Sequence, residues 1–148
     1  MTDRALPEPA PADASGGHGA DGAENADGAV SRRVDKPWGH ELIWAHTAQY
    51  VGKILVIEAG RRLSLQKHLV KDESIFVAAG RLRLYLEDDA GEVRAEELGP
   101  GESRHVATGR IHRYEAIERC ELIEVSTPEL DDVVRLQDDF GREGTSAP

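Results

Sequence analysis

The chain of 148 residues has one cysteine, one methionine and few aromatics, with two Trp, three Tyr and two Phe. A single Cys120 excludes an internal disulfide and suits a reducing compartment. No apolar run approaches the roughly 18 residues of a membrane helix, and the N-terminus lacks the basic-then-apolar pattern of a secretory signal. Cationic excess is also missing: 18 Lys+Arg stand against 28 Asp+Glu, a formal net charge of −10. Such a balance argues against a nucleic-acid partner, which would require Lys and Arg to neutralise phosphates. The length favours one domain with a real core and leaves no room for a separate nucleotide-binding half. The expectation is a soluble, cytoplasmic protein with no membrane or nucleic-acid partner.

The acidic charge is unevenly spread. Residues 1–30 carry one basic residue and six acids, for −5, and residues 129–148 carry two and six, for −4, so that 31–128 hold only −1. Apart from Met1, Leu6 and Val30, the first thirty residues have no sizeable apolar side chain to offset the entropy of ordering. They are predicted to be a disordered Ala/Gly/Pro-rich tail, followed by one folded domain over 31–142 and a short disordered tail over 143–148.

Within the near-neutral region, short runs of β-forming residues alternate with turn residues. Strands are predicted near His40–Ala45, Tyr50–Glu58, Arg62–His68, Glu73–Ala79, Arg81–Glu87, Val93–Leu98, Ser103–Ala107, His112–Ile117 and Cys120–Ser126. Gly60, Gly80, Asp88–Gly91, Gly99–Gly101 and Thr108–Gly109 supply the breaks. So many short strands imply an all-β sandwich or barrel. Helix is confined to one or two turns within Pro128–Leu136, where Val133, Val134 and Leu136 would dock. Alternation places Leu82, Leu84 and Leu86 on one face. It also places Glu73 on the apolar face of Ile75, Val77 and Ala79, which is costly unless a cation or metal pairs with the carboxylate.

Gln66 and His68 leave the same face of a strand, Glu73 returns on the next, and His112 opens a later one. Two imidazoles, a carboxylate and an amide oxygen could meet at one point, a donor set for a first-row divalent metal with positions left open for water or substrate. Tyr114 shares the inward face of His112. Trp38 and Trp44 could stack on a sugar ring, although Pro37 beside Trp38 favours a role in capping the barrel. Cys120 reads as a small core residue.

These residues resemble the two motifs of the cupins. The first reads Gly60, five residues, Gln66-x-His68, four residues, Glu73, six residues, Gly80, with Gln in place of the first His. The second reads Gly101, five residues, Ala107-x-Gly109, two residues, His112, three residues, Ala116, with Ala where the family has Pro and Asn, neither of them a ligand. Lys36–Gly39, Gly60–His68, Ile123–Thr127 and Asp131–Arg142 further resemble the C-terminal cupin domain of type II mannose-6-phosphate isomerases. The resemblance covers about 32–142.

That resemblance implies an all-β, double-stranded β-helix, or jelly-roll barrel, with a short C-terminal helical segment. It also implies a divalent ion on Gln66, His68, Glu73 and His112, zinc first, with manganese, iron, cobalt or nickel as alternatives. The reaction implied is interconversion of an aldose phosphate and a ketose phosphate through an enediol. Lys53, Lys71, Arg104 and His105 are candidates for base, acid or phosphate contact, with solvated surface roles as the alternative for the two lysines. Arg135 lies where the family places a sugar-phosphate arginine; an ion pair with Asp131, Asp132 or Asp139 is the alternative. Leu69 and Val70 stand where the larger enzymes carry further histidines. A cupin that binds a sugar without turning it over, or an iron-dependent oxygenase, are the competing readings. By the same analogy a homodimer is expected, paired through the strand edge within Val34–Trp44.

Overall fold

The computed structural model describes residues 31–146. The predicted N-terminal tail over 1–30 lies outside the described residues. Twelve strands are found among those described: β1 Arg32–Lys36, β2 Gly39–His46, β3 Val51–Ile57, β4 Leu65–Lys67, β5 Glu73–Ala79, β6 Leu82–Glu87, β7 Val93–Leu98, β8 Ser103–Val106, β9 His112–Ala116, β10 Cys120–Ser126, β11 Val133–Gln137 and β12 Gly144–Ser146. They form two antiparallel six-stranded sheets, ordered β1-β2-β3-β10-β5-β8 and β12-β11-β4-β9-β6-β7. This is the jelly-roll barrel of a cupin. No helix of the described residues is long and apolar enough to cross a membrane.

Two C-terminal expectations are corrected. Val133–Leu136 does not form a helical turn; it lies in β11, paired with β4 and β12. Val133 and Val134 are stiff at χ1 and suit a pleated strand, and the open edge of β4 supplies the ladder. The tail predicted from 143 contains β12, whose Gly144 and Thr145 pair with Arg135 and Val134.

The inward positions change character along the strands. Cys120 and Leu122 on β10, Ile75 and Val77 on β5, and Tyr114 and Ala116 on β9 belong to the buried core. On the same faces, Glu124, Glu73 and His112 follow toward one end of the barrel and are also buried. Alternation at period two thus carries one continuous face from packed core into a polar chamber. The core includes Trp38, Leu55, Ile57, Leu63, Leu82 and Leu84.

Two glycines hold the motifs in place. Gly80 has φ 83°, and a Cβ there would collide with the Arg119 carbonyl, so the β5–β6 turn admits no side chain. Gly109, at φ 84°, donates its N–H to the His68 carbonyl at 2.8 Å. The second motif is thereby tied to the first.

Candidate metal centre

His68, Glu73 and His112 converge, with one potential ligand atom from each lying within 4.8 Å of the others. Register explains the meeting: Glu73 opens β5, His112 opens β9, and Gln66 on β4 lies opposite His112. His68 Nε2 lies 3.3 Å and His112 Nε2 3.1 Å from the same oxygen, Glu73 Oε1. The Tyr114 hydroxyl donates to that oxygen at 2.9 Å.

The outer nitrogens of both rings are committed. His68 Nδ1 is 2.6 Å from the Asp132 carbonyl and His112 Nδ1 is 2.9 Å from the Arg110 carbonyl. A carbonyl only accepts, so each Nδ1 carries a proton, and in the neutral form of either ring the Nε2 lone pair is directed at Glu73. His112 Nε2 is buried and has no hydrogen-bond partner. Two lone pairs facing a carboxylate call for a cation between them, and orientation of ligating imidazoles by backbone carbonyls is the usual outer support of such a site. The residues present therefore fit a divalent ion. Gln66 lines the same cavity, and its amide oxygen accepts from the Ser64 hydroxyl at 2.6 Å, which leaves a second lone pair.

Lys71 closes the other side. Its ammonium lies 2.6 Å from Glu73 Oε2 and 3.0 Å from Glu124 Oε1, all three groups being buried. Burial opposes its charge, but Glu124 and then Glu73 outweigh this and raise the Lys71 pKa above its ordinary value. Burial likewise opposes the Glu73 charge, and the Lys71 ammonium holds that carboxyl well below the usual range. The Tyr114 hydroxyl is pushed well up by burial and the Glu73 charge. Lys71 and Tyr114 are accordingly proton-bearing groups.

The centre opens into a cavity of about 270 Å³. Six basic residues (Arg32, Lys36, Lys53, Lys71, Arg135 and Arg142) and four acids (Glu41, Glu73, Glu124 and Asp131) line it. Lys53 is buried and paired with Glu41 at 3.2 Å. Burial, then the charge of nearby Arg142, depresses the Arg135 guanidinium. Trp38 is buried in the core and borders the cavity; Trp44 is exposed and lies across Gly52.

Arg104 and His105 do not join this cavity. β8 is the outer strand of its sheet, where Arg104 is drawn to Glu96 on β7 at 2.6 Å and His105 pairs with Asp72 at 2.7 Å. Glu41, Glu124, Arg32, Lys36 and Arg142 are cavity residues that the sequence reading did not single out. Glu124 was detectable, since it shares its face with Cys120 and Leu122 just as Glu73 does with Ile75 and Val77.

The barrel and its two-motif histidine–carboxylate centre define a cupin. The family model described as "Mannose-6-phosphate isomerase C-terminal" matches residues 23–138. The chain belongs to this family, which includes enzymes. No curated protein matches the chain. Among solved structures, KdgF from Halomonas sp. is similar at 24% identity, with 68% of this chain and 90% of that chain covered and a TM-score of 0.58. Oxalate decarboxylase from B. subtilis is similar at 16% identity, with 72% of this chain and 30% of that chain covered and a TM-score of 0.64. This chain spans less than a third of the decarboxylase, and both likenesses concern the fold.

Proposed function

We propose that Gln66, His68, Glu73 and His112 hold a divalent ion, zinc first, and that the cavity interconverts an aldose phosphate and a ketose phosphate. The observation that carries this reading is the pair of buried Nε2 atoms aimed at Glu73 inside a cavity richer in basic than acidic residues. A bound ion would supply Lewis acidity to the carbonyl and hydroxyl oxygens at C1 and C2 of an open-chain sugar. The chain's own residues do the rest. Arg135 and Arg142 face the cavity with like charge, and a phosphate dianion between them relieves their repulsion. Net isomerisation removes a proton from C2 and from the C2 hydroxyl, and returns one to C1 and one to the C1 oxygen. Lys71, protonated between Glu73 and Glu124, serves as acid and charge rather than as base. The base role falls to a carboxylate that lines the cavity, Glu124 or Glu41.

Turnover tests this reading. Chain stripped with chelator and reloaded with zinc or manganese is assayed for conversion of mannose 6-phosphate to fructose 6-phosphate. Metal-dependent turnover is expected; metal-loaded protein that converts neither this nor other aldose phosphates contradicts the isomerase. One observation favours a second reading, a cupin that binds a sugar phosphate without chemistry: Lys53 and Lys71 are both held in buried ion pairs. Saturable, metal-dependent binding without turnover would support it.

A further inference from the structure

The two sheets bring unequal charge to the cavity. On β1, Arg32, Val34 and Lys36 line it, while Arg33 and Asp35 pair with each other on the opposite face of the strand. Register puts Arg32 opposite Ile43 on β2, and Ile43 opposite Lys53 on β3. Arg32 and Lys53 thus occupy one row of the sheet, about 10 Å apart at the backbone. Glu41 answers the charge of this wall: Lys53 Nζ lies 3.2 Å from its Oε2 and Lys36 Nζ 3.6 Å from its Oε1. Glu124, opposite Lys53 on β10, is bound to Lys71 instead. Among the described residues, no hydrogen bond or ion pair ties Arg32 to a partner. Three basic groups therefore share one carboxylate, a formal excess of two positive charges. Lys53 is only 6% exposed, and Glu41 takes one of its three N–H donors. An ion pair that served packing alone would match one cation to one carboxylate, because each buried charge costs solvation. On the facing sheet, Arg142 already carries Asp138 at 2.8 and 3.0 Å.

We propose that Arg32, Lys36 and Lys53 form an oxyanion subsite on this wall, separate from the pair Arg135 and Arg142 on the facing sheet. Its ligand is a phosphate or carboxylate group, supplied either by free inorganic phosphate or by a second anionic substituent on the sugar. Such a group accepts from the N–H donors that Lys53 has left and from the planar fork of the Arg32 guanidinium, which matches two oxygens at once. It also balances the two surplus charges. Arg32 is exposed and Lys53 is buried, so the cluster runs from solvent to interior and draws an anion inward. The cavity of about 270 Å³ limits the ligand. It lies just below the roughly 300–1,000 Å³ of sites for drug-sized molecules, which suits one sugar with its charged substituents and excludes a nucleotide sugar.

For a sugar ligand the inference rests on the sugar-phosphate reading of the cavity; inorganic phosphate tests it without that reading. The zinc-loaded full chain is titrated calorimetrically with inorganic phosphate at low ionic strength. The double variant Arg32→Met/Lys36→Met is expected to lose one phosphate equivalent that Arg135→Met retains. Neither Arg32 nor Lys36 is buried, so the double variant keeps its β circular dichroism and its zinc content. Fructose 1,6-bisphosphate compared with fructose 6-phosphate identifies the source of the anion. A wild-type preference for the bisphosphate of about tenfold or more, abolished in the double variant, assigns the subsite to a second group on the sugar. Equal affinity for the two sugars assigns it to the free ion. Loss of the phosphate equivalent in a chain that binds neither sugar supports the subsite and counts against the sugar-phosphate reading. Phosphate binding that the double variant leaves unchanged would overturn the subsite, whatever the sugars do.

Discussion

The carbonyl of Asp132 accepts the Nδ1 proton of His68 at 2.6 Å, while the Asp132 carboxylate accepts the backbone N–H groups of Leu69, Val70 and Lys71 at 3.1, 2.7 and 2.8 Å. One buried residue thus orients an imidazole and shapes the turn that delivers Lys71 to Glu73. Asp132→Ala strands three donors and is expected to cost about 2–4 kcal/mol of folding stability. The substitution keeps the main-chain carbonyl that accepts from His68, so metal binding is expected to weaken only through the loosened 69–71 turn, by less than the roughly 10–100-fold of a removed outer partner. Urea melts and a competitive zinc titration measure the two effects. Unaltered folding stability would deny the Asp132 carboxylate its role in shaping the turn over 69–71.

Lys71 neutralises two buried carboxylates. Lys71→Met leaves Glu73 and Glu124 facing each other uncompensated, and is expected to cost about 3–5 kcal/mol in the metal-free protein. Adding Glu124→Gln recovers part of the loss. Thermal melts of the single and double variants, with and without zinc, show this; zinc rescues the single variant more than the wild type because the ion supplies the missing positive charge.

Arg135 and Arg142 share the cavity wall. Arg135→Met is expected to weaken a phosphorylated sugar by about 1.5–3 kcal/mol, the worth of a charge-assisted hydrogen bond, and to leave the unphosphorylated sugar unaffected. Calorimetric titration with mannose and with mannose 6-phosphate makes the comparison.

Acid stability depends on Asp138. Its buried carboxylate receives the Arg142 guanidinium at 2.8 and 3.0 Å and the Arg142 N–H at 2.7 Å. The Arg142 hydrogen bond, against the opposing effect of burial, lowers the Asp138 pKa. A folded value below the unfolded one contributes stability that is present above the ordinary carboxylate range, near pH 4, and is lost as pH falls through the folded value. Asp138→Asn is therefore expected to flatten the stability profile below about pH 4. Urea midpoints measured from neutral to acid pH read the slope.

Cys120 is buried, and its thiol is pushed up to about 11, chiefly by burial. The native protein is expected to resist a thiol-specific disulfide reagent at mildly alkaline pH and to release one equivalent only on unfolding.

Much of the barrel was legible because strand alternation is a local property. Leu82, Leu84 and Leu86 announced the inner face of β6, and Glu73 announced a polar position inside the barrel. The spacing of the motifs carried His68, Glu73 and His112 to one place because short turns at glycines fix the register of β4, β5 and β9. What remained hidden depends on long-range pairing. Val133 and Val134 lie on a strand because β4 offers an unpaired edge some seventy residues away in sequence. Arg104 alternates inward like a cavity residue, but β8 is a sheet edge and Glu96 captures the side chain.

Metal stoichiometry tests the central claim most directly. The chain, stripped with chelator and then dialysed against zinc, is analysed by elemental mass spectrometry alongside folded His112→Ala. One ion per chain in the wild type, and its loss in the variant, are the expected results. Equal metal content in the two proteins, or none in either, would contradict a centre built on His68, Glu73 and His112.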